Sequence, residues 1–302
     1  SAWMPRAVYE RLAPGTALHD EAMAGRGSPG VAPTAAPAAA YAPAAPAAPA
    51  LPAVVAPSYS STPREKDFAV IVGVESYSEL PKAPYAERDA AAFAAHARAL
   101  GVPARNVVLL TGSKAGRTAI EKYVEQWLPK LVNGDSTVYF YFSGHGAPDV
   151  KTGQAYLVPW DGDPNFLETT AYPVKRLYQK LQALKAKHVL VAMDSCFSGA
   201  GGRSVLASGA RPLVATVDTG SVSAGGMTVL TASAANEISG SLDERGHGAF
   251  TYFLLQGLNG GSKDLSAAGL LKYLTPLVQD ESRRLNREQT PQLLGDGALR
   301  LR

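Results

Sequence analysis

Two short stretches bring together residue types that do chemistry. His145 stands in SGHG (143–146), and Cys196, the only cysteine among 302 residues, stands in DSCFSG (194–199). A lone cysteine is most often a small buried hydrophobe. Here, however, each of the two residues follows an apolar run and passes into glycine. An imidazole beside a thiol is the smallest pairing that makes sulfur a competent nucleophile, because the ring takes the proton and the thiolate attacks. Gly144, Gly146 and Gly199 let the backbone turn and approach a substrate, so the amides of Cys196 and Gly146 are candidates to hold an oxyanion.

Positioning such a pair requires a rigid frame, and the pattern from residue 66 onward predicts one. DFAVIVGV (67–74), NVVLL (106–110), STVYFYFSGHG (136–146), HVLVAMD (188–194) and MTVLTAS (227–233) read as buried strands. Between them, ERDAAAFAAHARALG places Phe93, Ala97 and Leu100 on one helical face, with Gly101 as its stop. Thr118 and Glu121 read as a capping box ahead of Ile120, Val124, Trp127 and Leu131, in a helix bent at Pro129. VKRLYQKLQALKA (174–186) turns Leu177, Leu181 and Leu184 inward. Near-continuous apolar strands alternating with helices predict an α/β fold with a mostly parallel sheet covered on both faces. Chemistry in such sheets gathers at the carboxyl ends of the strands, where His145 and Cys196 both fall.

The rest of the composition narrows the function class. A net charge of +3 and 18% charged residues are too mild a balance to argue for nucleic acid or an anionic membrane surface. No uninterrupted apolar run approaches the ~18 residues of a membrane-spanning helix. A single cysteine forms no internal disulfide, which favours a cytoplasmic setting. Because the first residue is Ser1, export behind a removed signal peptide is left open. Residues 29–57 hold 14 Ala and 8 Pro, so 29–65 reads as an extended, semi-rigid linker. Residues 1–28 read as a short docking helix (Trp3, Val8, Leu12) or a disordered piece, which leaves 66–302 as the catalytic domain. GSKAGRT (112–118) is one residue short of a phosphate loop and has Arg117 where lysine is required.

With SGHG, DSCFSG and the 51 residues from His145 to Cys196, the sequence resembles the caspase and metacaspase cysteine peptidases. Caspases place their histidine about 50 residues upstream of the cysteine. The caspase signature Q-A-C-x-G is absent, and DSCFSG in its place resembles the metacaspase and bacterial caspase-like branch. GHGAFTYFLLQGL (246–258) and QTPQLLGDGALRL (289–301) fit that branch as well. The resemblance implies an open, mostly parallel six-stranded sheet flanked by helices on both faces. It also implies a cysteine endopeptidase with Cys196 as nucleophile and His145 as general base and acid. Its substrate-side residues map onto Asp89, Ser143 and Asp194. For Asp89 a charge at a helix N-terminus is the bland alternative, and for Asp194 a strand-end turn carboxylate.

Carboxylates at that pocket favour guanidinium and ammonium groups, so the expectation is cleavage of a peptide or protein after Arg or Lys. The same rule marks Arg203, followed by Ser204 in a small-residue stretch, as the self-cleavage candidate; Arg211 is followed by Pro212. The resemblance implies a monomer and no cofactor for the chemistry itself. Many metacaspases are calcium-activated, which keeps Asp161 and Asp163 of DGDPN as candidate ligands of a hard cation. The stretch lacks an EF-hand's glycine and glutamate, with Phe166 and Tyr172 in their places. The alternative function is a caspase-like adaptor whose dyad is idle.

Overall fold

The computed structural model describes residues 55–149, 151–198, 204–205, 226–234 and 237–302. The 1–28 segment, most of the 29–65 linker, Arg203 and Arg211 lie outside the described residues.

The apolar runs form strands as expected. In chain order the elements are β1 (Phe68–Gly73), α1 (Ala86–Ala99), β2 (Val107–Thr111), α2 (Arg117–Glu121), α3 (Leu128–Leu131) and β3 (Thr137–Ser143). Then come β4 (Gly146–Pro148), β5 (Ala155–Leu157), α4 (Leu167–Thr170), β6 (Tyr172–Pro173), α5 (Val174–Gln182) and β7 (His188–Asp194). The chain ends with β8 (Met227–Thr231), β9 (Ser241–Leu242), β10 (His247–Gly248), α6 (Ala249–Gln256), α7 (Ala267–Arg284) and β11 (Gln292–Gly295). Six strands make one sheet in the order β11-β8-β7-β3-β1-β2. Five run parallel and β11 lies antiparallel on β8. β4, β5 and β6 form a small separate sheet, and β9 pairs β10 as a hairpin.

Side chains alternate across a strand, which divides the core in two. Val70, Val72, Phe140, Phe142, Val191 and Met193 face α2, α3, the turn between those two helices, and α5 through Ile120, Val124, Leu128, Leu177 and Leu181. Ala69, Ile71, Tyr139, Tyr141, Leu190 and Ala192 face α1, α6 and α7 through Phe93, Ala97, Phe250, Leu254 and Leu270. With both faces covered, β1, β3 and β7 are apolar at successive positions rather than at alternate ones. The expected Gly101 stop is present, with φ +105°, a left-handed backbone that glycine adopts without penalty.

Two expectations about the second helical stretch are corrected. Thr118 is not a cap: the helix begins at Arg117, whose N–H donates to Asp161 Oδ1 at 3.1 Å. Glu121 instead takes Arg117 Nε at 3.0 Å along the helix. A carboxylate from a distant loop thus does the work assigned to the capping box. Between α2 and α3, residues Lys122–Trp127 wind as a π-helix just ahead of Pro129, which has no N–H to continue the α pattern. The wider turn brings Leu128 inward and leaves Leu131 46% exposed.

Residues 55–65, extended as their composition implies, run along the domain as a strap. Ser61 N–H donates to Ala99 O at 2.7 Å and Arg64 N–H to Gly101 O at 2.8 Å. Ser58 N–H donates to Asn259 Oδ1 at 2.8 Å, and Asn259 Nδ2 to Ala56 O at 2.8 Å.

Candidate active site

β3 and β7 are neighbours, and Ser143 lies opposite Asp194 as the last pair of their register. His145 and Cys196 each stand two residues beyond that pair, so the two strands deliver imidazole and thiol to the same level of the sheet. Gly144 N–H donates to Asp194 O at 3.4 Å across the exit. A methyl on Gly146 would clash with the Cys196 carbonyl oxygen and come within 2.6 Å of the Phe197 ring, so only glycine lets the two loops touch. Both candidate residues are buried, His145 at 2% and Cys196 at 0% exposure.

Two residues that the sequence did not point to hold the histidine. His145 Nε2 lies 2.8 Å from Pro81 O, and its backbone N–H donates to Tyr77 Oη at 2.6 Å. The Tyr77 ring packs on the imidazole with centroids 4.9 Å apart. A carbonyl only accepts, so Nε2 carries the hydrogen and Nδ1 is the basic nitrogen of the neutral ring. Around the thiol, Ser239 N–H donates to Cys196 Sγ, with Ser233 Oγ at 4.0 Å.

Asp89, Ser143 and Asp194 meet beside this pair, all fully buried. Ser143 Oγ donates to Asp89 Oδ2 at 3.2 Å. Asp89 Oδ1 also accepts His247 Nδ1 at 2.8 Å and the Gly248 N–H at 3.2 Å. Asp194 Oδ2 accepts Thr251 Oγ1 at 2.7 Å and Thr251 N–H at 3.2 Å, while Tyr141 Oη lies 2.6 Å from Thr251 Oγ1. Both carboxylates therefore sit at the N-terminus of α6, whose exposed amides and dipole favour negative charge. Asp89 lies in the first turn of α1, but its charge serves α6 instead.

Residues 66–297 match the family model described as the caspase domain, a peptidase family. The chain belongs to the caspase-domain family. Two solved structures share the fold. One is protein GSU0716 from Geobacter sulfurreducens, 21% identical with a TM-score of 0.57 over 76% of this chain and 92% of that one. The other is caspase-1 from Spodoptera frugiperda, 17% identical with a TM-score of 0.52 over 78% and 89% of the two chains. No curated protein matches the chain in sequence.

This caspase domain thus has a cysteine-peptidase-like fold, in a family that is usually of that enzyme type and acts on proteins. No helix among the described residues is long and apolar enough to cross a membrane. The two carboxylates considered for a cation are used locally. Asp161 caps Arg117, and Asp163 Oδ1 accepts Asn165 N–H and Nδ2 at 2.8 Å each. Among the described residues, no three His, Cys, Asp or Glu side chains gather as a metal site. His247 and Thr251, which bond the two buried carboxylates, do not stand out in the sequence as candidates. The available signal was the second GHG (246–248), which repeats the His145 motif directly ahead of a helix.

Proposed function

We propose that this caspase domain is a metacaspase-type cysteine endopeptidase that uses Cys196 and His145 as a dyad and cleaves after Arg or Lys. The observation that carries the reading is the matched register of β3 and β7, which brings both residues to one level, with Pro81 O selecting the His145 tautomer. Nδ1 of His145 takes the Sγ proton and the thiolate attacks the scissile carbonyl carbon. The oxyanion of the tetrahedral adduct accepts the N–H groups of Cys196 and Gly146. The imidazolium returns its proton to the leaving amine as the C–N bond breaks. Water, deprotonated by the same ring, then hydrolyses the thioester and frees Sγ.

The buried carboxylates Asp89 and Asp194, with the Ser143 hydroxyl, support a pocket for a basic side chain. An acidic substrate residue there would meet like charges at a cost of several kcal/mol. Self-processing after Arg203 draws support from the next residue. Ser204 bridges to Gly146 and Val205 N–H donates to Gly146 O at 3.0 Å, so the chain following that bond lies against the proposed oxyanion amide. The DSCFSG stretch supports the metacaspase branch and, with it, a monomer; light scattering that showed a stable dimer at micromolar concentration would count against this.

A thiol-directed fluorescent peptide probe tests the enzyme reading. Labelling of the full chain that disappears in Cys196→Ala is the expected result. No labelling, with or without calcium, would leave the idle adaptor as the better account.

A further inference from the structure

The carboxylate proposed to receive a basic side chain already has partners. Asp89 receives His247 Nδ1 at 2.8 Å, the Gly248 N–H at 3.2 Å and 3.1 Å on its two oxygens, and Ser143 Oγ at 3.2 Å. Both carboxylate oxygens are therefore already engaged within the fold. His247 is itself 0% exposed, and its Nε2 is buried with no hydrogen-bond partner among the described residues. A histidine that stabilised the fold for its own sake would have both nitrogens satisfied, because an unpaired buried polar atom costs about 1–3 kcal/mol. The ring belongs to the β9–β10 hairpin, and just ahead of that hairpin Ser239 N–H donates to Cys196 Sγ.

We propose that His247 is a specificity-determining residue that occupies the Asp89 carboxylate as an internal stand-in for the substrate's basic side chain, and that this side chain must displace it to bind. The inference rests on the Arg/Lys reading above. A guanidinium offers five donors in a fork that fits a carboxylate in a bidentate manner, against the single Nδ1–H of a neutral imidazole. An acidic or apolar side chain offers Asp89 nothing in exchange. Displacement therefore admits basic residues and penalises others, adding a repulsive element to an attractive one.

The experiment uses the full chain carrying Cys196→Ala, so that binding is read without turnover, and N-acetyl-arginine amide as probe, with N-acetyl-aspartate amide as control. The His247 Nδ1–H proton is followed by NMR while calorimetry follows binding. Loss or a large upfield shift of that resonance at saturating arginine amide is expected. So is affinity at least tenfold tighter when His247→Ala is added, with His247→Gln in between. Arginine amide that binds while the resonance stays put, or binds no more tightly to either His247 variant, overturns the stand-in role alone. If neither amide is preferred by any variant, the Arg/Lys reading falls, and the stand-in role falls with it. The NMR readout needs no substitution at His247, so a poorly folded variant does not decide the matter.

Discussion

The two ends of the one sheet handle buried carboxylates differently. At the amino ends of the strands, Asp67 accepts Thr137 N–H at 2.8 Å, and Asn106 Nδ2 donates to Asp67 O at 3.0 Å, which ties β1, β2 and β3 together. A crevice of about 730 Å³ opens there among Arg64, Lys66, Asp135, Lys187 and His188. Its charges pair with each other, as Lys66 does with Asp135 at 2.5 Å and Arg64 with Asp67 at 3.8 Å. At the carboxyl ends, Asp89 and Asp194 face a helix N-terminus, hydroxyls and a histidine, beside a thiol and a second histidine. What separates the two ends is the surroundings of their carboxylates, a paired arginine and a backbone amide at one, hydroxyls, amides and an imidazole at the other.

Substitutions at the two ends should therefore separate activity from stability. After loss of the thiol itself, the largest effect is expected for His145→Ala, which should lower peptide hydrolysis about 10²–10⁴-fold, the usual worth of general-base help, with little change in thermal midpoint. Asp194→Ala comes next. It strips Thr251 of its acceptor and removes a pocket charge, so kcat/KM for an Arg peptide should fall by about 2–5 kcal/mol in transition-state terms. An unchanged value in steady-state assays would remove Asp194 from the pocket.

At the strap end the expected effects concern folding. His96 is buried at 1% exposure between Tyr59 Oη at 3.1 Å and Val55 O at 3.0 Å. Burial lowers its pKa to about 4, despite the opposing Val55 hydrogen bond. The unfolded chain therefore binds a proton near pH 6.5 that the folded chain refuses until pH falls to about 4. This contribution to stability is complete above pH 6.5 and is lost as pH falls from 6.5 toward 4, at most about 3 kcal/mol in all. Urea unfolding across that range should show the slope, and His96→Gln should flatten it. Asp67→Asn should have the smallest effect. Burial already raises the Asp67 pKa, so the neutral isostere costs about 1 kcal/mol or less in stability. Hydrolysis should stay within about twofold of wild type, and a larger loss would erase the distinction between the two ends.

Much of this architecture is written in local pattern. β7 begins and ends at His188 and Asp194 as its apolar run predicts, because a strand buried on both faces has no polar interruption to blur it. His145 and Cys196 stand out as candidates for the same reason, each lying where such a run breaks into glycine. The surroundings of this candidate pair do not. Pro81, Tyr77 and Ser239 reach it from loops through backbone or single-atom contacts that no spacing encodes. β4, β5 and β6 are two or three residues long, too short for a period to appear. The Thr118 box failed because Asp161, 44 residues away, competes for the same helix end. His247 stayed hidden because its meaning depends on Asp89, 158 residues distant in the chain.

The central claim is a Cys196–His145 peptidase with a pocket for basic residues. Its most direct test is hydrolysis of matched fluorogenic peptides ending in Arg, Lys and Asp by the full chain and by Cys196→Ala. The account predicts release from the Arg and Lys peptides at least about a hundredfold faster than from the Asp peptide, given the several kcal/mol of like-charge penalty, and no release from any of them by Cys196→Ala. Faster cleavage of the Asp peptide, or wild-type turnover in Cys196→Ala, would contradict it.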